Sequence, residues 1–487
     1  MAVTHPKVFS ALALASLASG ALLLSAVLPA AANPGLSASG TGTVMTQLSD
    51  LTAPTSNSPQ GVAVASGVTY VSNPPTHSVL KFDSAGSYLG EIALPGASPF
   101  PTAMVASSDG SKVYVCDDNA TGLVFTITTA TDAVTSFSVA TQPFAITLSP
   151  DNAIVYLISN SDSLVYAYDA STGSSLGHSV SDGLYATATH VLASPDGTKV
   201  YESLRDPIPA PGQTTGGLRV LNASDLSEID HADLPNAGGL AESADGSRVW
   251  VGSTDSANQS VVAEYDPVGT FVTSVAVSPS PNDLILSPDH RWLYVAAFSN
   301  GLLDVIDTAS FTDTATTMTI GDGRELAISS DGLRLYSASS TSATKVISIA
   351  KLTLTSPASV PPGTGPTAFS AQITDGGATL ADYTTNTVKF DILDSSNMVV
   401  ATATVAPNAA GAASASIDLS ALPAGTYSVR ATLDPIDGTV VVTAAGFRIS
   451  AAALAATGTE PVVPTVIGLL LLVAGSVALV ARRRRTA

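Results

Sequence analysis

Through the middle of the chain, apolar residues alternate with polar ones in short runs, and the runs recur as a unit. An apolar strand leads into Ser-x-Asp-Gly or a close variant, and a second strand carrying Tyr or Trp comes after it. The unit stands at Ala106 to Val115, Leu148 to Tyr156, Ala193 to Tyr201, Ser243 to Trp250, Leu286 to Val295 and Ile328 to Tyr336. Its marker residues, Asp109, Asp151, Asp196, Asp245, Asp289 and Asp331, are spaced by 42, 45, 49, 44 and 42 residues. A worn copy at Val62 to Val71 brings the number of units to seven. Period-2 alternation predicts strands, and Asp- and Gly-bearing links between them predict hairpins. The third unit, for example, reads as strands at Phe144 to Ser149, Ile154 to Ser159, Leu164 to Asp169 and Ser175 to Val180.

A fixed period in the forties with four short strands per unit is the signature of a radial array of small sheets. The expected fold class is therefore all-β: a seven-bladed β-propeller over 40–350, followed by a small Ig-like β-sandwich over 354–450 and a C-terminal transmembrane helix. The Ser-Pro-Asp-Gly to Val-Tyr-Val unit resembles the YVTN-type repeat of seven-bladed propellers in bacterial and archaeal surface-layer proteins, and is similar to the lactonase-type propellers. Asn152 and His290 stand where that repeat has Gly. The resemblance implies the fold and no catalytic residue. The seventh unit lacks a fourth strand downstream, so Thr43 to Leu51 is expected to supply it and bring the ends of the ring together.

Beyond the repeats, Pro357, Pro361, Pro362 and Pro366 read as a linker. Val388 to Leu393, Val399 to Val405, Ala413 to Leu419 and Thr426 to Ala431 then alternate as strands of the sandwich. The stretch Ile417 to Ala431 resembles the closing strands of bacterial Ig-like surface domains, which implies a spacer.

Both ends carry targeting signals. Lys7, the apolar stretch Phe9 to Leu28 and Ala30-Ala31-Ala32 read as a signal peptide over 1–32. At the other end an uncharged run over 462–481 would span roughly 28 Å as a helix, and the basic tail 482–487 behind it stays cytoplasmic. Just before that run stand Leu454, Ala455, Ala456, Thr457 and Gly458. This order resembles the LPxTG cell-wall sorting signal, in the LAxTG form of actinobacterial type, with Ala455 in place of the usual Pro. The resemblance implies cleavage between Thr457 and Gly458, with sortase and peptidoglycan as partners; the alternative is a plain membrane anchor.

Composition narrows the partners. The formal net charge is −20, and removing the basic ends makes it more negative, so nucleic acid is excluded as a partner. Cys116 is the single cysteine, which rules out an intramolecular disulfide and places it as a small buried residue in a strand.

Chemistry, if present, belongs at the rim where the first strand of each unit begins. Six residues before each marker stand Ala103, Ala145, His190, Gly239, Asp283 and Glu325, with Asn282 and Arg324 beside two of them. His190, Asp283 and Glu325 could hold a divalent cation or act as acid and base; the alternative is solvated loop ends, or Arg324 pairing with carboxylates. Three residues before the markers, Glu242 interrupts an apolar series, where burial would raise its pKa; it is a further candidate metal ligand unless a register shift exposes it. No phosphate loop, nucleophile elbow or dinucleotide fingerprint appears, and the cofactor is unknown. The insertion Arg205 to Gly217 is expected on the same face. The functional expectation is a wall-anchored, non-enzymatic surface protein that displays a propeller for binding a protein or glycan ligand. The rivals are an extracellular lactonase- or lyase-like enzyme with a metal at the channel mouth, and a passive surface-layer component.

Overall fold

The computed structural model describes residues 44–450, apart from 56–57, 140–141, 181–186, 206–215, 256, 258, 315–317, 378–379 and 435–440. The signal peptide, sorting motif, transmembrane helix and basic tail expected from the sequence lie outside these residues, as does most of the Arg205 to Gly217 insertion. Among the described residues no helix is long and apolar enough to cross a membrane.

Among the described residues the protein is nearly all β, with eight sheets and two short 3-10 turns at Pro74–Thr76 and Leu380–Thr385. Five of the sheets are four-stranded antiparallel meanders, the first made of Val62–Ala65, Val68–Asn73, Ser78–Phe82 and Tyr88–Ala93. The third runs Pro143–Leu148, Ile154–Ser159, Val165–Asp169 and Ser175–His178, within two residues of the strands read from its sequence. A sixth sheet has its outer edge split between Thr312–Asp313 and Met318–Thr319. The seventh contains Glu325–Ile328, Arg334–Ala338 and Lys345–Thr355, and its outer strand is Val44–Gln47 from the far end of the chain, with Met45 opposite Ile349. First strands of successive sheets pack side by side, and Glu325–Ile328 packs against Val62–Ala65. The arrangement is propeller-like.

The repeat residues explain these sheets. The aromatic of each second strand, Tyr70, Tyr114, Tyr156, Tyr201, Trp250, Tyr294 and Tyr336, is buried between neighbouring sheets. Burying one such ring contributes on the order of 2 kcal/mol. Each marker Asp closes its hairpin: Asp196 Oδ1 accepts from Ser194 Oγ at 2.6 Å and from the Thr198 amide at 2.9 Å, and the other five markers repeat the Ser contact. The next residue takes positive φ, whether Gly197 (68°), Asn152 (59°) or His290 (61°), so Asn and His occupy the Gly position in the same left-handed conformation. Leu51, Val62, Leu80, Phe82, Tyr336 and Val346 form one core joining the first and seventh sheets. Cys116 is buried, and burial pushes its thiol up.

The prolines expected to mark a linker lie elsewhere in the fold. Lys345–Thr355 is a single strand whose first half pairs with Arg334–Ala338 and whose second half pairs with Pro366–Thr374. It passes from the repeat array into the C-terminal sheets without a break, and Pro357, Pro361, Pro362 and Pro366 come after it. Pro366–Thr374 pairs in turn with Ala412–Asp418. A five-stranded sheet of Ser359–Val360, Val441–Ile449, Gly425–Asp434, Thr387–Leu393 and Val399–Val405 packs over these strands. The shared core includes Leu352, Phe369, Phe390, Ile392, Val429 and Phe447.

Candidate functional site

The first strands of four sheets begin with a register irregularity. Pairing skips between Pro101 and Met104, Pro143 and Ala145, Ala188 and His190, and Pro281 and Asp283. In the last three, one residue is bulged out: Phe144, Thr189 and Asn282. A bulge turns consecutive side chains toward the same side, where regular strand would send them to opposite faces. In five of the six marked units the residues six and seven before the marker line one cavity of about 760 Å³, to which all seven repeat units contribute. Its walls include Ala103, Ala145, His190, Asp283 and Glu325 from the first register, and Thr102, Phe144, Thr189, Asn282 and Arg324 from the second. Counting one residue further back in the repeat would have found the second set.

The two cavity carboxyls reach across to neighbouring strands. Asp283 Oδ2 accepts from the Leu326 amide at 2.6 Å, joining the sixth sheet to the seventh, and its Oδ1 accepts from its neighbour Leu284 at 2.9 Å. Glu325 Oε2 accepts from the Val62 amide and from the Met104 amide, each at 3.3 Å, tying the seventh sheet to the first and second. Gly61 makes room for that contact, because a Cβ there would stand 2.6 Å from Glu325 Oε2 and 2.1 Å from Thr102 O. Strand-opening amides facing the cavity have no ladder partner, and the carboxyls accept from them.

Burial governs the charge of these groups. It pushes Asp283 up to about 7 against the opposing pull of the Leu326 and Leu284 amides. Glu325 is held well above the usual carboxylate range by burial and by the nearby Asp283. His190 is drawn down to about 4 by burial and by the Arg205 cation. Its Nε2 lies 3.9 Å from Asp283 Oδ1, so with the ring neutral near pH 7 this is a contact between uncharged or partly charged groups and not an ion pair.

The structure therefore brings His190 and Asp283 together and puts Glu325 on the wall of the same cavity. Among the described residues no group of three His, Cys, Asp or Glu side chains is arranged to hold a metal ion. Glu242 lies apart. It is buried near the hairpin end of its strand, where Tyr201 Oη donates to Oε1 at 3.2 Å and Oε2 has no partner. Burial raises it to about 7. No register shift exposes it, and it is not among the residues that line the cavity.

No known family profile matches the chain, and no curated protein matches it. Among solved structures it is similar to a chain of Kuenenia stuttgartiensis hydrazine synthase, at 15% sequence identity and a TM-score of 0.52, covering 60% of this chain and 95% of that one. At that identity the likeness shows the fold alone.

Two cavity residues gain their meaning only from the structure. Arg205 ends its strand opposite Thr187 and forms neither an ion pair nor a hydrogen bond among the described residues. Burial lowers its pKa, the direction expected of a cation short of water and of anions. Thr102 is buried, and its Oγ1 has no partner. Arg324, by contrast, is engaged: its Nε donates to Asp322 at 3.0 Å and its guanidinium lies 5.0 Å from the Phe298 ring centroid.

Proposed function

We propose that this protein is an exported surface protein whose seven-bladed propeller binds a small ligand in the cavity at its channel mouth. An Ig-like spacer comes next, and sortase joins Thr457 to peptidoglycan. The observation that carries the binding reading is the convergence of all seven repeat units on one cavity of about 760 Å³, within the range of small-molecule sites. The anchoring reading rests on the order of the sorting motif, the apolar run and the arginine tail.

The binding reading is tested with an array of glycans and small metabolites, probed with the purified ectodomain and with its Ala103→Trp variant. Ala103 lines the cavity, and an indole there fills the space a ligand would take. Ligands lost in the variant support the reading, whereas ligands retained at full strength move binding off the cavity. For anchoring, Thr457→Ala should leave the protein in the membrane fraction; release of mutant and wild type alike by muramidase, with peptidoglycan attached, would show the sorting assignment to be wrong.

A further inference from the structure

With the two carboxyls accepting from strand-opening amides, the polar groups of the cavity that remain without a partner among the described residues are few. They include the Arg205 guanidinium and the side chains of Gln60 and Thr147; Thr102 Oγ1 and His190 Nδ1 also have no partner but are sealed within the wall. A guanidinium presents a planar fork of donors suited to a carboxylate, and one facing a cavity without a counter-ion has that capacity free. The side chain of Arg205 runs past Gly238, where a Cβ would lie 3.6 Å from Nη2 and 2.5 Å from Pro281 O; a larger residue there could not be accommodated without moving the backbone. The surrounding wall mixes apolar Phe144, Met104 and Phe298 with hydrogen-bonding Asn236, Asn282 and Ser253.

Resting on the reading of this cavity as a ligand site, we infer that it selects a hydroxylated organic carboxylate of sugar-acid type, with the carboxylate on Arg205 and hydroxyls toward the lining amides Gln60, Asn236 and Asn282. An anion enters against the negative charge of the whole chain, so the local cation has to supply the selectivity. Inorganic phosphate is disfavoured because the other guanidinium of the cavity is already held by Asp322.

The test uses calorimetric titration of the full ectodomain with glucuronate, glucose and inorganic phosphate as probes. Glucuronate should bind at least tenfold more tightly than glucose or phosphate. Arg205→Gln should abolish that preference without changing the melting temperature of the unliganded protein, and Arg205→Lys should restore part of it. Equal binding of glucuronate and glucose, both lost in Ala103→Trp, would overturn the selection of an anion while leaving the cavity a ligand site. Glucuronate binding that survives Ala103→Trp would count against the cavity itself. Tighter binding of phosphate, a preference unchanged in Arg205→Gln, or no binding of glucuronate would each overturn the inference.

Discussion

The two ends of the inner strands carry acids of the same kind in opposite states. At the hairpin end, Asp109, Asp196 and Asp245 are exposed and held down near 2, first by the hydroxyl of the Ser two residues earlier and then by backbone amides and further hydroxyls of the same turn. At the cavity end Asp283 and Glu325 also accept amide hydrogen bonds, yet burial lifts both. Hydrogen bonding favours the ionised form at both ends, so solvent access decides the difference. An acid repeated in six of the seven units belongs to the turn that those units share. An acid present in only two units at its position, as Asp283 and Glu325 are, has a local task, here accepting from a neighbouring sheet's amide.

The contrast can be broken most strongly at Glu325. Glu325→Ala removes the acceptor of two amides and should destabilise the protein by about 2–4 kcal/mol in urea unfolding. Glu325→Gln keeps an acceptor and loses no charge that burial has not already suppressed, so it should cost less than about 1 kcal/mol. Equal losses in the two variants would mean that the ionised carboxylate, and not the hydrogen bonds, holds the sheets together.

Glu242 sharpens the comparison, since it lies near the hairpin end but is buried. Its carboxyl is raised from 4.5 to about 7, mainly by burial and further by Asp196 and Asp245, while the Tyr201 hydroxyl and Lys199 act against the rise. A raised acid favours folding fully below its unfolded value, and that contribution is lost as pH rises from about 4.5 through 7. Glu242→Gln should therefore be more stable than wild type at pH 8, by roughly 2 kcal/mol after allowance for partial solvent access, and close to it at pH 4. Denaturation midpoints that differ equally at both pH values would show that packing, not ionisation, separates them.

The smallest effect is expected at the exposed turns. Asp196→Ala should lower the melting temperature by only about a degree. Because the Asp196 carboxyl is depressed, its contribution is present above about 3.8 and fades as pH falls toward 2. Mutant and wild-type melting curves should thus merge in acid, and a gap that persists at pH 2 would assign the effect to turn geometry alone.

The repeat made the sheets legible because strand period, aromatic position and turn chemistry all repeat in register, and the N-terminal outer strand emerged from counting strands in the seventh unit. The cavity was half legible. Counting six residues back from each marker reaches His190, Asp283 and Glu325, but a bulge adds a residue to a strand without any sequence mark, so the count does not reveal that Thr102 and Thr189 line the cavity too. Arg205 was visible only as the start of an insertion. That it lines the cavity with no ion pair or hydrogen bond among the described residues is a matter of placement in space, which no linear pattern reveals. The prolines after residue 356 read as a linker because Pro signals a break, whereas Pro357, Pro361 and Pro362 sit in connections of the second set of sheets and Pro366 opens one of its strands.

That misplacement leaves Lys345–Thr355 as the connection between the repeat array and the C-terminal sheets. If the protein is held by its C-terminal end, as proposed, tension between a bound ligand and the anchor runs lengthwise along this strand. The rungs to Arg334–Ala338 on one side and to Val44–Gln47 on the other are then loaded in shear, all together, and not peeled one at a time. The short N-terminal strand becomes a mechanical latch. Removing residues 40–52 should lower the force at which the seventh sheet ruptures in single-molecule pulling between the cavity rim and the C-terminal end, even where the resting protein still folds.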